Sequence, residues 1–398
     1  MREGFVDEDA VRASAEDSEK VVEICTRYAT RDAESVPRRL LRLAGRRPAR
    51  GRQRARGAPP LAHALLGALV KLNALTVGTG PRHVVFLHGL FGQGKNWGSI
   101  ATALADIATC HLVDLPNHGL SPWTEEFDLD EQADLVAGWL RENVPTPVVL
   151  IGHSLGGKIA MRLALRHQGL VDRLMVVDIS PARNEAAQNF ASLVSALRRL
   201  DLDHIASRGQ AEQLLMPEIP DVVVRRFLLQ NLRHKGEHWS WAANLDLLGD
   251  SLHEVGGWFA IHSVYDGPVV WVNGGRSPYV QPEHVEPMRA LFPRVRQVTL
   301  KRAGHWVHAD DPSAFVQVCR LFLEAPCRTG GSAQPIVTDW ILASAMGDMP
   351  STPSTPCAAI PPTTSRPAWS MVPNTVYSGG SSVSAHTRKN CDPPVFGA

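Results

Sequence analysis

The chain has 398 residues, 44% of them apolar, which is enough to build a large core without disulfide or metal staples. Its formal charge is +1, so no global field selects nucleic acid or an anionic membrane as a partner. The six cysteines, Cys25, Cys110, Cys319, Cys327, Cys357 and Cys391, form no C-x-x-C pair and no metal-ligand spacing with histidine, which points to a reducing, intracellular setting and to no metal site.

Residues 1–71 form an extension that opens on acids (Glu3, Asp7, Glu8, Asp9) and then carries a basic run from Arg38 to Arg56. That run reads as a disordered linker, an organelle-targeting element or a nucleic-acid contact, and the early acids are unlike a transit peptide. The apolar stretch Leu61 to Val77 holds His63, Lys71 and Asn73 and is too short and polar for a membrane span, so it reads as a helix followed by a first strand. From 72 to 325, strand-like runs alternate with amphipathic helices. The strands are Val84–Leu87, His111–Val113, Val148–Ile151, Leu174–Val177, Val269–Val272 and Val295–Leu300. This alternation predicts an α/β domain, with a mostly parallel sheet, helices on both faces and ligands at the carboxyl ends of the strands. Between about 182 and 266 the pattern becomes helical only, as in Glu185–Leu200 and Val222–Leu232, which predicts an inserted helical cap. Phe91, Trp97, Phe190, Phe227 and Trp241 are candidate pocket aromatics. Asp311 and Pro312 read as the cap and first turn of a last helix. The tail 326–398 is rich in Pro, Ser and Thr, lacks a sustained apolar period and reads as disordered.

The chemistry concentrates at strand ends. Val148–Ile151 runs into Gly152–His153–Ser154–Leu155–Gly156, a G-x-S-x-G followed by the helix-like stretch Lys158–His167. A serine at a sharp strand-to-helix turn needs glycine neighbours, and its hydroxyl is then held out above the sheet. The bland alternative is a glycine-rich helix start with a capping serine. A serine hydroxyl is a poor nucleophile at neutral pH, so an imidazole must take its proton and a carboxylate must orient that imidazole. His305, on the loop between the last strand and the last helix, is the candidate base, with His308 as local rival. The acid is open. The strand before the last leads into Gly274–Gly275–Arg276–Ser277–Pro278–Tyr279, which holds no carboxylate. Asp178, at the end of Leu174–Val177, is the first candidate, unless it only caps the next segment through an Asx turn. Asp246, in the cap, is the second. Leu90, in the turn His88–Gly89–Leu90–Phe91–Gly92, and Leu155, after the serine, are placed to offer backbone N–H groups to an oxyanion.

These motifs, together with Asp114–Leu115–Pro116–Asn117–His118–Gly119–Leu120–Ser121, Arg226–Leu232 and Gly304–Ala309, resemble the α/β-hydrolase-fold serine esterases, in the group of α/β-hydrolase-domain-containing protein eleven and its bacterial esterase and thioesterase relatives. The resemblance covers about 72 to 324. It implies a serine hydrolase acting on a small-molecule acyl ester or thioester, with Asp178 as acid, no cofactor, no metal, no nucleic acid and no integral membrane segment. Mitochondrial members of the group add a mitochondrial location to the cytoplasmic one. Pro116 departs from the group, which carries an arginine before Asn-His-Gly. A carbon–carbon hydrolase using the same Ser and His, or a receptor-like module that binds a ligand without turnover, are the alternatives.

Overall fold

The computed structural model describes residues 71–184, 190–236 and 238–325. The basic N-terminal run, the apolar stretch before Lys71, the start of the Glu185 helix, the tail and Cys25, Cys327, Cys357 and Cys391 lie outside the described residues.

The sheet is built from β1 (Ala74–Val77), β2 (Arg82–Leu87), β3 (Ala108–Val113), β4 (Val148–His153), β5 (Val171–Val177), β8 (Val269–Gly274) and β9 (Val295–Leu300) in the order β1-β3-β2-β4-β5-β8-β9. Only β1 runs antiparallel; every other pairing is parallel. The mostly parallel α/β-hydrolase-type sheet expected from the sequence is therefore what the chain forms. Parallel strands covered on both faces read as continuous apolar runs, and β4 and β8 are buried along their whole length. Side chains alternate between the faces. Val85 and Leu87 of β2 and Leu150 of β4 join one core, with α2 (Leu129–Asn143) and α3 (Leu155–Arg166). Val84 and Phe86 of β2 and Val149 and Ile151 of β4 join the other, with α1 (Gly98–Ala103) and α11 (Pro312–Glu324). Asp311 caps α11 by accepting from the Ala314 N–H, with Pro312 in its first turn.

The chain places β3 on one side of β2 and β4 on the other, so the strand order reverses at β2. A crevice opens at such a point outside the carboxyl ends of the strands. Four non-glycine residues just beyond strand ends take the left-handed conformation: Phe91 after β2, Asn117 after β3, Ser154 after β4 and Asp178 after β5. Each turns the chain sharply at the rim of that crevice.

The insertion between β5 and β8 carries α4 (Phe190–Arg198), α5 (Arg208–Leu215), α6 (Val222–Leu229), α7 (Leu245–Asp250) and α8 (Leu252–Gly256). It is not helical only. The helix expected to reach Leu232 stops at Leu229, and an antiparallel hairpin follows, β6 (Leu232–Lys235) paired with β7 (His238–Trp241). Gly236 takes φ +64° at the tight turn, and His234 packs on Trp239 across the strands. A short helix α10 (Val307–Asp310) also precedes α11, where a loop was expected. Among the described residues no helix is long and apolar enough to cross a membrane, and no group of three or more His, Cys, Asp or Glu side chains is arranged to hold a metal.

Candidate active site

Ser154 joins β4 to α3 with φ 53° and ψ −119°, and its side chain makes no capping bond to the helix, so the capping alternative fails. The strained turn is possible because its neighbours lack side chains. A Cβ on Gly152 would be driven into the Gly156 carbonyl, and one on Gly156 into the Leu87 carbonyl at the end of β2.

His305 lies beside it, on the loop between β9 and α10. Its Nε2 is 3.1 Å from Ser154 Oγ, and its Nδ1 is 2.7 Å from Asp178 Oδ2. The Asp178 side chain is fully buried. A buried carboxylate needs its lone pairs met, and this one accepts from the Gly274 N–H at 2.9 Å and from the Ser277 hydroxyl, besides His305. These partners are the last residue of β8 and the loop after it, where the sequence holds no carboxylate. That loop supplies donors to an acid on the neighbouring strand end. Tyr279, from the same loop, stacks on the His305 ring with centroids 3.8 Å apart and planes 18° apart. His153 donates from Nε2 to the His305 carbonyl at 2.8 Å. The imidazole is thus fixed through its Nδ1, one face and its own backbone.

Asp246 is elsewhere. It sits on α7 of the cap, its side chain 88% exposed and paired with Arg198 at 3.1 Å. The cap helix faces solvent there rather than folding inward, so this candidate is not brought to the serine.

The surrounding histidines are held neutral by burial. His308 is pulled down to about 4 by burial and then by His305, and it stacks on Trp97 with centroids 4.2 Å apart. His118 is pulled down to about 3 by burial and then by His88. His153 is held well below the ordinary histidine range by the same cause, then by His305 and His308. Neutral rings each offer one donor and one acceptor, and they brace the turn that carries Leu90. His88 Nε2 accepts from the Leu115 N–H at 3.0 Å, which leaves Nδ1 to donate to the Gly89 carbonyl at 2.8 Å. His118 Nε2 accepts from the Phe91 N–H at 3.1 Å, and its Nδ1 donates to the Pro116 carbonyl at 3.0 Å. Pro116, the departure from the family pattern, contributes here only its backbone oxygen.

Two clefts meet at Ser154 and Leu90. One is walled by His88, Trp97, Phe227, His305, Trp306 and His308. The other is walled by Leu155, Lys158, Ile179, Val255 and Tyr279, and Phe190 borders both. Trp97, Phe190 and Phe227 therefore line a cleft, whereas Phe91 is fully buried core and Trp241 belongs to the cap hairpin. Leu90 borders both clefts and Leu155 the second.

Several residues of the site carry no sequence signal for the contacts they make, although Gln230 and Asn231 fall within the Arg226–Leu232 motif. Gln93, Asn96, Gln230 and Asn231 form an amide cluster between the Leu90 turn and the cap, with Asn231 Nδ2 donating to the Phe91 carbonyl at 2.7 Å and Gln93 Nε2 to Asn231 Oδ1 at 3.0 Å. Their partners lie more than 130 positions apart, so only the fold brings them together. Ser277 and Tyr279 act through a hydroxyl and a ring face, which leave no local pattern in a loop that lacks a carboxylate.

The description of the alpha/beta hydrolase fold family matches residues 82–312. The chain is 37% identical over 246 residues to the sn-1-specific diacylglycerol lipase ABHD11 of Mus musculus, covering 60% of this chain and 80% of that protein. It is 31% identical over 240 residues to Esterase YbfF of Escherichia coli (strain K12), covering 60% of this chain and 92% of that protein. The solved structure of a marine microorganism esterase superposes with a TM-score of 0.62 at 30% identity, covering 64% of this chain and 99% of that one. The chain belongs to the α/β-hydrolase-fold family, as a carboxylic ester hydrolase similar to ABHD11 and the bacterial esterases.

Proposed function

We propose that the domain spanning 72–325, with its cap at about 182–266, hydrolyses carboxylic esters or acyl thioesters through an acyl-enzyme on Ser154. The observation that carries this reading is the unbroken chain from Ser154 Oγ through His305 to the buried Asp178 carboxylate, at 3.1 and 2.7 Å. In the first half, Oγ attacks the acyl carbon while His305 Nε2 takes the hydroxyl proton. Asp178 holds the other ring nitrogen and stabilises the imidazolium. The carbonyl oxygen becomes an oxyanion facing the Leu90 and Leu155 N–H groups. The intermediate collapses, the bond to the alkoxide or thiolate breaks, and His305 returns the proton to that leaving group. In the second half, water adds to the acyl-enzyme as His305 takes its proton, the bond to Ser154 Oγ breaks, His305 returns the proton to Oγ and the acid leaves. The similarity to a mouse diacylglycerol lipase makes acylglycerols the first substrates to try. Cys110 and Cys319, free and buried, suit an intracellular location, cytoplasmic or mitochondrial.

A fluorophosphonate tests the serine directly. Intact mass should show one covalent adduct on the wild type and none on Ser154→Ala. Both Ser154→Ala and His305→Ala should lower turnover of a simple ester by about a million-fold. A folded Ser154→Ala protein that still turns over would remove the serine from the mechanism. Retention of an intact ester by an unlabelled wild type would favour a ligand-binding role.

A further inference from the structure

Lys158 is 1% exposed, one turn after the serine on α3, and it has no part in the chemistry above. A buried ammonium is costly unless every N–H is met, and this one donates to the carbonyls of Ala182 at 3.0 Å, Gly256 at 2.5 Å and Gly257 at 2.8 Å. No carboxylate is among these partners. The three carbonyls come from two places in the chain. Ala182 lies where the cap leaves the sheet domain, and Gly256 and Gly257 lie where α8 ends before the return to β8. The Asn184 N–H joins the two segments by donating to the Gly256 carbonyl at 2.8 Å. Only a side chain with three donors at one point meets all three oxygens, which an ammonium does and an amide does not. Burial draws its pKa down to about 7, and the three acceptors act in the opposite direction by favouring the charged form.

Lys158 also walls the second cleft, together with Leu155, Ile179, Val255 and Tyr279. His305, which must reach the leaving group to protonate it, walls the first cleft and not the second. A leaving group in the first cleft puts the acyl chain in the second, on the side of the necks.

We propose that Lys158 is a positioning residue that staples both necks of the cap to the nucleophile helix and closes the far end of the acyl cleft, so that it limits the acyl chain the enzyme accepts. The inference rests on Ser154 as nucleophile. Removing the staple takes this donor from the Ala182 and Gly257 carbonyls and leaves Gly256 with the Asn184 N–H, so the necks part and the cleft lengthens.

The test uses the full chain and two p-nitrophenyl esters, acetate and decanoate, so that the leaving group stays constant. Lys158→Met removes every donor at similar length and should raise the decanoate-to-acetate ratio of kcat/KM by about tenfold, the range that methylene-scale changes in a pocket command. Lys158→Gln keeps one amide nitrogen with two donors, which can meet at most two of the three oxygens, and should give a ratio between those of the wild type and Lys158→Met. A ratio that is unchanged or lower in a folded Lys158→Met protein overturns the proposal, whatever happens to thermal stability. Hydrogen exchange on the wild type gives an answer even if that variant does not fold. The Asn184 and Gly257 amides should exchange in the slow class of α3, and exchange as fast as the outer cap helix α5 overturns the staple. Failure of the serine reading would look different: Ser154→Ala would keep hydrolysing both esters.

Discussion

At the carboxyl edge of the sheet, Asp178 accepts from a backbone N–H, a hydroxyl and an imidazole, all supplied by loops anchored in parallel strands. In the cap, Asp246 has the same side chain on a helix surface, where it meets Arg198 in water. The edge is held by buried groups that bond one another, and the cap by side chains reaching across the join: Asn231 to the Phe91 carbonyl and Lys158 to the necks. Identical chemistry thus becomes a catalytic candidate or a solvated surface group according to the scaffold beneath it. Precision in the reacting groups is expected from the edge, and selection among substrates from the cap.

The largest test of that contrast is the pair of aspartates. Asp178→Asn should lower kcat by about three to four orders of magnitude, because the amide no longer stabilises the imidazolium or fixes the tautomer. Asp246→Asn should stay within about twofold, since an exposed ion pair contributes little. Steady-state rates on one ester decide it, and equal effects would erase the distinction between the regions.

Acid should find the edge next. A buried histidine whose folded pKa is depressed contributes stability that is present at pH above its unfolded value and is lost as pH falls. For His118 the unfolded group takes up its proton near pH 6.5 and the folded one only at about 3, so the unfolded state binds more protons throughout that window. Stability should therefore fall by about 2 kcal/mol between pH 6.5 and 5 from this residue alone. Urea midpoints at the two pH values measure it, and a flat profile would mean that the ring charges within the fold.

The smallest effect is expected from the join between the regions. Asn231→Ala removes the amide that holds the Phe91 carbonyl and should cost about 1 kcal/mol of stability, read as a lower urea midpoint. The fall in kcat/KM should be less than about tenfold. A loss as deep as that of Asp178→Asn would make the cap part of the catalytic edge and break the comparison.

The same division governs what the sequence reveals. The inner strands of the sheet were legible because burial on both faces writes itself as unbroken apolar runs, and β4 begins where the run Val148–Ile151 does. The elbow was legible because its glycines serve the backbone locally. The cap hairpin was not, because Leu232–Lys235 and His238–Trp241 are four-residue strands whose polar alternation blends into the preceding helix. Ser277 was invisible for another reason. Its hydroxyl acts on a residue 99 positions away, and one serine in a loop has no local pattern.

The left-handed backbones at Phe91, Asn117, Ser154 and Asp178 bear on how this enzyme would respond to directed evolution. Each non-glycine residue held there costs on the order of 1 kcal/mol. Three of the four cannot be relaxed cheaply: Phe91 is fully buried, Asn117 exchanges two hydrogen bonds with Thr124, and Asp178 meets Gly274, Ser277 and His305. A library selected only for heat resistance should therefore collect relaxing replacements at Ser154, whose hydroxyl makes no capping bond. Robustness and turnover are set against each other there, so a thermostable descendant should be sought by substitutions elsewhere.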